Sequence, residues 1–266
     1  MASLIERVTS ELRRLILSGE IAAGERVREL EWAPELGVSR TPLRLALVEL
    51  EKQGLVERLG ARGYHVRSIT MDEVAEAIDV RGVLEGFAAR LAAEAGLRQE
   101  HIDSLNACVR EGSELLDAAD AMGGVVDAAG WGSTNARFHA TLVNAASGKS
   151  LQFALAQVTK SPLADAGALG VNGMQPALEL QFLQRAQADH EDVLQAIVAR
   201  EGARAEALMR EHARRSRDNK VRLARQVGEV LVHEMDEATT AKRGNGASSR
   251  AARDDGQPLT VVHLSR

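Results

Sequence analysis

An amide and an imidazole lie four residues apart in the stretch Asn135-Ala-Arg-Phe-His139. Residues i and i+4 project from one face of a helix, so the asparagine oxygen and a histidine nitrogen can bind the same atom or simply lie side by side. Two further histidines, His190 and His212, continue rows of apolar residues on later helical segments. Imidazole nitrogens and an amide oxygen are ligands for divalent metal ions, and these four residues are the candidates for one shared site.

The alternative for each histidine is a hydrogen-bonded residue of the core, which is the usual role of a single histidine on an apolar helix face. Three helices that each direct a histidine to one interior, with an oxygen ligand one turn from His139, favour a shared site instead. The other four histidines have no partner at the spacing of a common ligand; they are His65, His101, His233 and His263.

The helices that would position these side chains begin at residue 70. Thr70-Met-Asp-Glu73 has the form of a capping box, in which each side chain binds the other residue's amide, and it predicts a helix start. From there to about residue 231 the apolar residues keep a helical period. The period is interrupted near Gly96, Gly123, Ser147, residues 164–176 and Gly202. Residues 70–233 are therefore predicted to form an all-α bundle.

Residues 1–69 have a different organisation. Two helical segments are followed by a third, which begins with Ser39 and Thr41 as candidate N-caps and ends at Gly54. The segments LVERL and YHVRSI then flank the turn GARG and predict a β-hairpin. The predicted fold is mainly α: an N-terminal winged helix-turn-helix with a small β-hairpin wing, then a C-terminal all-α helical bundle. Residues 234–266 lack apolar periodicity and are predicted to be disordered.

The composition agrees with a helical protein and excludes several classes. Of the 266 residues, 45% are hydrophobic, 27% are charged and only 3% are aromatic, which suits helices better than a β-sandwich. No apolar run reaches the roughly 18 to 20 residues that span a bilayer, and charges interrupt the N-terminal segment, unlike a signal peptide. The single cysteine, Cys108, excludes an intrachain disulfide. We expect a cytoplasmic protein with no membrane partner, in which Cys108 is a small buried residue.

The formal net charge of -5 is unevenly distributed. Residues 1–69 contain 11 Lys and Arg against 10 Asp and Glu, whereas residues 70–233 contain 17 against 23. Phosphate contacts depend on where cations lie more than on the total charge. The N-terminal domain therefore stays eligible to bind nucleic acid.

The segment GVSRTPLRLALVELEKQGLVERLGARGYHV, with SGEIAAGERVRE upstream, resembles the DNA-binding domain of the GntR superfamily of bacterial regulators over about residues 8–67. The resemblance implies that the third helix enters the major groove of an operator. Arg40, Thr41 and Arg44 lie in the first turn and a half of this helix, where Arg44 can donate two hydrogen bonds to a guanine. At the tip of the wing, Arg62 and Gly63 are placed to enter the minor groove.

Two residues depart from that pattern. Pro34 lies inside the expected second helix, where it removes an amide donor and clashes with the preceding turn unless the helix begins only at about Trp32. Leu45 follows Arg44 where the family usually has an acidic residue, so an ion pair that would orient an arginine is missing. We expect the fold to accommodate both changes.

Residues 70–233 resemble the helical ligand-binding domain, named FCD, of the FadR subgroup of GntR regulators. Many members of that subgroup hold a divalent metal with an Asp or Asn, a histidine four residues later and two histidines from later helices. The residues that match this pattern here are Asn135, His139, His190 and His212. Three imidazoles and one oxygen suit zinc or nickel, and the neutral asparagine should hold the ion less strongly than an aspartate would.

Arg81, in the first helix of the bundle, resembles an arginine that faces the pocket in this family, and is the candidate for binding an effector. The alternative is a local ion pair with Glu85, four residues later. The expected function is a DNA-binding repressor, not an enzyme, which binds operator DNA as a homodimer and responds to a small carboxylate at the metal. A metal-dependent hydrolase is the alternative, because three histidines and an oxygen also describe catalytic zinc sites.

Overall fold

The structure, a computed structural model, describes residues 3–17, 19–60, 63–68, 70–146, 148–159, 164–168 and 175–243, with side chains up to residue 225. The fold is mainly helical, as predicted. The N-terminal elements are α1 (Leu4–Leu17), β1 (Arg26–Val27), α2 (Glu29–Glu35), α3 (Arg40–Lys52), β2 (Val56–Arg58) and β3 (Tyr64–Val66). The helices of the bundle are α4 (Met71–Ala95), α5 (Gln99–Ala121), α6 (Ala128–Ala145), α7 (Lys149–Val158), α8 (Pro176–Val198) and α9 (Gly202–Arg243).

The wing contains one strand more than the predicted hairpin. β2 and β3 pair antiparallel as expected, with Val56 opposite Val66, but β1 adds to the other edge of β3 and gives the order β1-β3-β2. Only two residues of β1 pair with β3, and a segment this short has no periodicity that a sequence pattern could detect.

The second helix begins earlier than Pro34 suggested. α2 begins at Glu29 rather than at about Trp32, and Pro34 lies inside it. Pro34 lies in the last turn of α2, so its missing amide removes one hydrogen bond, to the Leu30 carbonyl, at the end of the helix. The helix therefore accommodates Pro34 without a delayed start.

The third helix packs one face on the N-terminal core and leaves the other exposed. Ser39 occupies the N-cap position with extended backbone, and the buried residues of α3 are Leu43, Ala46, Leu47 and Leu50. They belong to a cluster that also contains residues of α1 and the sheet. The same cluster includes Met71, Val74 and Ile78 of α4, so the first turns of α4 are part of the core of the N-terminal domain.

The capping box at the start of α4 is confirmed. The Glu73 amide donates to the Thr70 hydroxyl at 3.2 Å, and the Thr70 amide donates to the Glu73 carboxylate at 3.0 Å. Arg67 pairs with the same carboxylate at 2.7 Å and donates to the Gly54 carbonyl at the end of α3. Through these bonds Arg67, which follows β3 of the wing, connects the start of α4 to the turn that follows α3.

Two glycines let α4 and α9 pack closely together. A Cβ at Gly82 would lie 2.6 Å from Ala213 Cβ, and one at Gly86 would lie 2.6 Å from Arg210 Cγ. Arg217 of α9 also holds Asp79 of α4 through both carboxylate oxygens at 2.7 and 2.8 Å. The contact between α4 and α9 therefore depends on small residues at its centre.

We predict that Gly82→Ala lowers the free energy of unfolding by about 1 to 3 kcal/mol, because the added methyl overlaps Ala213. At an open helix position the same change would raise stability by up to about 1 kcal/mol. The sign of the change in the free energy of unfolding therefore shows whether Gly82 lies in a close contact. Urea denaturation measures it, and adding Ala213→Gly should restore part of the loss. An unchanged or higher stability of Gly82→Ala would contradict the close packing.

The last helix extends beyond the predicted end of the bundle. α9 continues to Arg243 and so enters the segment 234–266, which the sequence predicts to be disordered. Ala, Glu, Met and Lys in this stretch favour helix even where apolar periodicity has ended. Residues 244–266 lie outside the described part of the chain. Within that part, none of the helices has the length and apolar content needed to cross a bilayer.

Candidate metal centre

Three histidines from three different helices meet in the interior of the bundle. His139 of α6, His190 of α8 and His212 of α9 are each at least 97% buried, and one ring nitrogen from each lies within 4.8 Å of the other two. The ring of Phe138 stacks on His190 with centroids 4.2 Å apart. The structure thus brings together the three histidines that the sequence selected, and an aromatic ring packs against one of them.

Asn135 lies one turn before His139 on α6 and is also buried. Its side-chain nitrogen donates to the Ala166 carbonyl at 2.5 Å, which fixes the orientation of the amide. Among the described residues, its oxygen Oδ1 has no hydrogen-bond partner. A buried acceptor without a partner is unfavourable, and a metal ion would satisfy it.

Carboxylates lie close to the Nδ1 atoms of two of the histidines. Glu85 Oε1 lies 3.0 Å from His139 Nδ1, and Asp189 Oδ2 lies 3.6 Å from His212 Nδ1. A carboxylate on one ring nitrogen orients the imidazole and makes the opposite nitrogen a better metal ligand. The Nε2 atoms of His139 and His190 have no hydrogen-bond partner within the part of the chain that the structure describes.

Burial affects the pKa values of two of the histidines and of Glu85. Burial lowers the pKa of His190 well below its usual value, and burial also lowers the pKa of His212 although Asp189 opposes the shift. Burial alone would raise the pKa of Glu85, but His139 and then Arg81 outweigh it and lower this pKa. The neutral imidazole is the form that binds a divalent metal, and the lowered pKa values of His190 and His212 favour it at these two residues.

The residues present therefore fit a metal ion. His139, His190, His212 and the Asn135 oxygen would hold it, and three nitrogens with one oxygen suit zinc or nickel. A bound ion of this kind would supply a positive charge and open coordination positions for water or an anion.

A cavity adjoins this centre, and Arg81 lines it together with Asn135 and His212. Arg81 is 99% buried, and both positions that the sequence left open, beside Glu85 and at the cavity, are occupied by its side chain. Its Nε lies 3.3 Å from Glu85 Oε2, the predicted local pair, while its Nη1 donates to the Ala164 carbonyl at 2.6 Å. The ion pair with Glu85 and the position at the cavity exist together.

Lys220 and Trp131 also line this cavity, and the sequence interpretation did not select either. Lys220 lies in the charged run SRDNKVR of α9, which looks like a solvent-exposed face, yet it is 94% buried. Trp131 belongs to α6 one turn before Asn135 and looks like an ordinary core residue. The sequence indicated Trp131 only through its spacing, which places it on the same face of α6 as Asn135 and His139.

The three predicted DNA-contacting residues of α3 are exposed. Arg40, Thr41 and Arg44 lie on the outer face of α3. Glu29 of α2 holds Arg44 Nε through both carboxylate oxygens at 2.7 and 2.8 Å, so the orienting acidic residue missing next to Arg44 comes from another helix.

At the tip of the wing, Gly63 has a φ of 84°, a conformation that favours glycine. Arg62 lies outside the described residues. A glycine with a positive φ thus lies at the predicted position in the wing. The contact of Arg62 with the minor groove stays a prediction.

A winged helix-turn-helix joined to a helical bundle with a cavity beside a histidine cluster is the architecture of two-domain bacterial transcriptional regulators. The model of the bacterial regulatory proteins of the gntR family matches residues 4–66, and the model of the FCD domain matches residues 76–215. The chain belongs to the GntR family and carries an FCD domain.

Individual relatives agree with this assignment. The chain is 32% identical over 148 residues, 54% of its length and 62% of the relative's, to a protein of Paenarthrobacter nicotinovorans described as a "Probable D-xylose utilization operon transcriptional repressor". It is 30% identical to an HTH-type transcriptional regulator of Streptomyces ambofaciens, over 88% of this chain and 92% of that one. The chain spans less than two thirds of the length of several curated relatives that it matches. These matches give no support to the hydrolase alternative.

A solved structure, E. coli McbR/YncC, has the same fold. It superposes with a TM-score of 0.59 at 20% identity and covers 85% of this chain and 100% of its own. At this identity the likeness concerns the fold alone.

Proposed function

We propose that the protein is a repressor that binds a short palindromic operator as a homodimer, and that a small organic acid bound at a metal in the FCD domain changes its affinity for the operator. The observation that carries the proposal is one continuous helix, α4. Its first turns lie in the core of the winged helix-turn-helix, and Arg81 and Glu85, on the next turns, reach the cavity and His139.

The exposed face of α3 supports the DNA-binding part. Arg40, Thr41 and Arg44 project from its N-terminal turns, next to the wing, as side chains must to contact base edges in a major groove. One short helix makes few base contacts, and a two-fold symmetric dimer on a palindrome doubles them.

The outer face of α4 supports the homodimer. Val80, Val83 and Phe87 lie three and four residues apart on one side of the helix and are 47 to 50% exposed. Apolar residues grouped in this way commonly mark an interface, and the same face of a second copy would cover them.

Arg44→Ala tests the DNA-binding part. We expect it to weaken operator binding by about 1 to 3 kcal/mol, roughly 5- to 150-fold, and to relax the preference for one base, since a bidentate contact to guanine is lost. Fluorescence anisotropy with an operator selected from random duplexes measures both quantities.

Arg14→Ala is the matched control for Arg44→Ala. Arg14 is an exposed arginine of α1, paired with Glu11 and Glu20, and is not among the predicted DNA contacts. Its loss should leave base preference unchanged. Operator affinity and base preference that are the same in Arg44→Ala and in the wild type would contradict the role of Arg44.

A further inference from the structure

The cavity beside the metal centre has a strongly basic lining. Among the described residues that form it, four are basic and one is acidic; they are Arg81, Arg185, Arg215, Lys220 and Asp189. Asp189 Oδ1 already pairs with Arg185 at 2.7 Å and with Arg215 at 2.6 Å. The lining thus favours a ligand that brings more negative charge than one carboxylate.

Lys220 is a buried basic residue of the cavity wall, with 6% of its surface exposed. Burying an ammonium group is unfavourable unless anionic or acceptor groups lie close to it, so an anion in the cavity would favour this position further. Burial and then the charge of Arg81 lower the pKa of Lys220 to about 7, although Asp165 and Glu85 act in the opposite direction. A second anion in the cavity would stabilise the charged form of this side chain.

Trp131 contributes a second, independent observation. It is 98% buried and lines the same cavity, and its indole Nε1 has no hydrogen-bond acceptor among the described residues. A buried indole N–H nearly always has a partner, so an acceptor from a ligand is the natural occupant of that position.

We propose that Lys220 and the Nε1–H of Trp131 bind a second anionic group of the effector, so that the protein selects small dicarboxylates over monocarboxylates. This inference rests on the proposed function. One carboxylate is placed at the metal and Arg81, and the second is recognised by the Lys220 ammonium and the indole donor. Lys220 and Trp131 determine which acid binds rather than whether an acid binds.

The test compares pairs of acids of equal chain length, such as succinate with butyrate and glutarate with pentanoate, by calorimetry at pH 7 on the protein with one equivalent of zinc. We expect at least one dicarboxylate to bind about tenfold or more tightly than its partner, since a hydrogen bond between charged groups contributes that much. Lys220→Met and Trp131→Phe should each reduce this preference, Lys220→Met to about threefold or less.

Matched controls exist for both variants. Lys149 is an exposed lysine at the start of α7, and Trp32 is the other tryptophan of the chain, in α2. Lys149→Met and Trp32→Phe should keep the full preference, and Lys220→Arg should keep part of it. If Lys220→Met does not fold, Trp131→Phe and Lys220→Arg still measure the preference.

Proton uptake gives a further measurement on the wild type. A dicarboxylate that raises the pKa of Lys220 from about 7 should be accompanied by uptake of about half a proton at pH 7. Calorimetry in two buffers of different ionisation enthalpy measures it, and Lys220→Met should abolish it. Equal uptake in both proteins would contradict the placement of the second carboxylate.

The outcomes separate this inference from the proposed function. If acids bind without a preference for dicarboxylates, or if both variants keep the preference, the assignment of Lys220 and Trp131 is overturned and the effector site survives. If no acid of the panel binds to the zinc-loaded protein, the effector site itself is refuted, and this inference with it.

Discussion

The His190→Ala protein is expected to retain at most about a tenth of the divalent metal that the wild type carries, which should be close to one ion per chain. His190 presents an Nε2 without a hydrogen-bond partner within the described residues, in an interior that keeps the ring neutral. Removal of this nitrogen leaves two imidazoles and one amide oxygen, a weaker ligand set. Elemental analysis after dialysis against zinc or nickel measures the content.

Stability should follow the metal content. An ion at about 100 times its dissociation constant stabilises the folded state by about 2.7 kcal/mol, so zinc should raise the melting temperature of the wild type and leave that of His190→Ala almost unchanged. His139→Ala should behave in the same way.

His101→Ala is the control for the metal experiment, because His101 is a half-buried histidine near Glu100 and Arg98, away from the cluster. It should keep its metal. Wild-type protein that contains no metal and takes up neither zinc nor nickel would show that Asn135 and the three histidines are only a polar core.

The sequence predicted the cluster of His139, His190 and His212 better than its surroundings. Asn135 and His139 share a helix, so their spacing is a local property, and the resemblance supplied the two distant histidines. The carboxylates behind the rings were not assigned. Glu85 was visible only as a partner of Arg81, and its contact with His139 depends on how α4 packs against α6.

For Lys220 and Arg44, too, the sequence did not predict an environment that depends on packing between helices. A lysine in a charged run looks solvent-exposed until the packing of α9 against α4 buries it, which a linear pattern does not record. For Arg44 the sequence noted that no acidic residue follows it, but the acidic partner is Glu29, fifteen residues earlier on α2. The capping box and the glycine breaks are local and were predicted well; side-chain partners between helices were not.

A bound acid is expected to change operator affinity by about tenfold, which corresponds to a coupling free energy of about 1.4 kcal/mol. The path is short. Ile78 of α4 lies in the cluster with the core of the winged helix-turn-helix, and Arg81, three residues later, lines the cavity. A ligand that pulls on Arg81 therefore acts on the helix that carries the DNA-binding domain.

For the acid to matter, it must bind one arrangement of α4 more tightly than another. The structure offers a contact that such a change would break: Arg81 Nη1 donates to the Ala164 carbonyl at 2.6 Å, and a carboxylate would compete for the same hydrogens. At the other end of α4, the Thr70 cap and the bonds of Arg67 to Glu73 and Gly54 would transmit a displacement to the wing and to α3.

Reciprocity makes this prediction strict. If the acid changes operator affinity by a given factor, operator DNA must change the affinity for the acid by the same factor. Calorimetric titration of each acid that binds, with and without a saturating operator duplex, measures the second factor, and anisotropy with and without the acid measures the first. Thr70→Ala, which removes the hydroxyl cap from the first turn of α4 where Arg67 pairs with Glu73, should reduce both factors together while the acid still binds. Identical acid affinities with and without operator, for every acid that binds, would refute the coupling whatever the metal content.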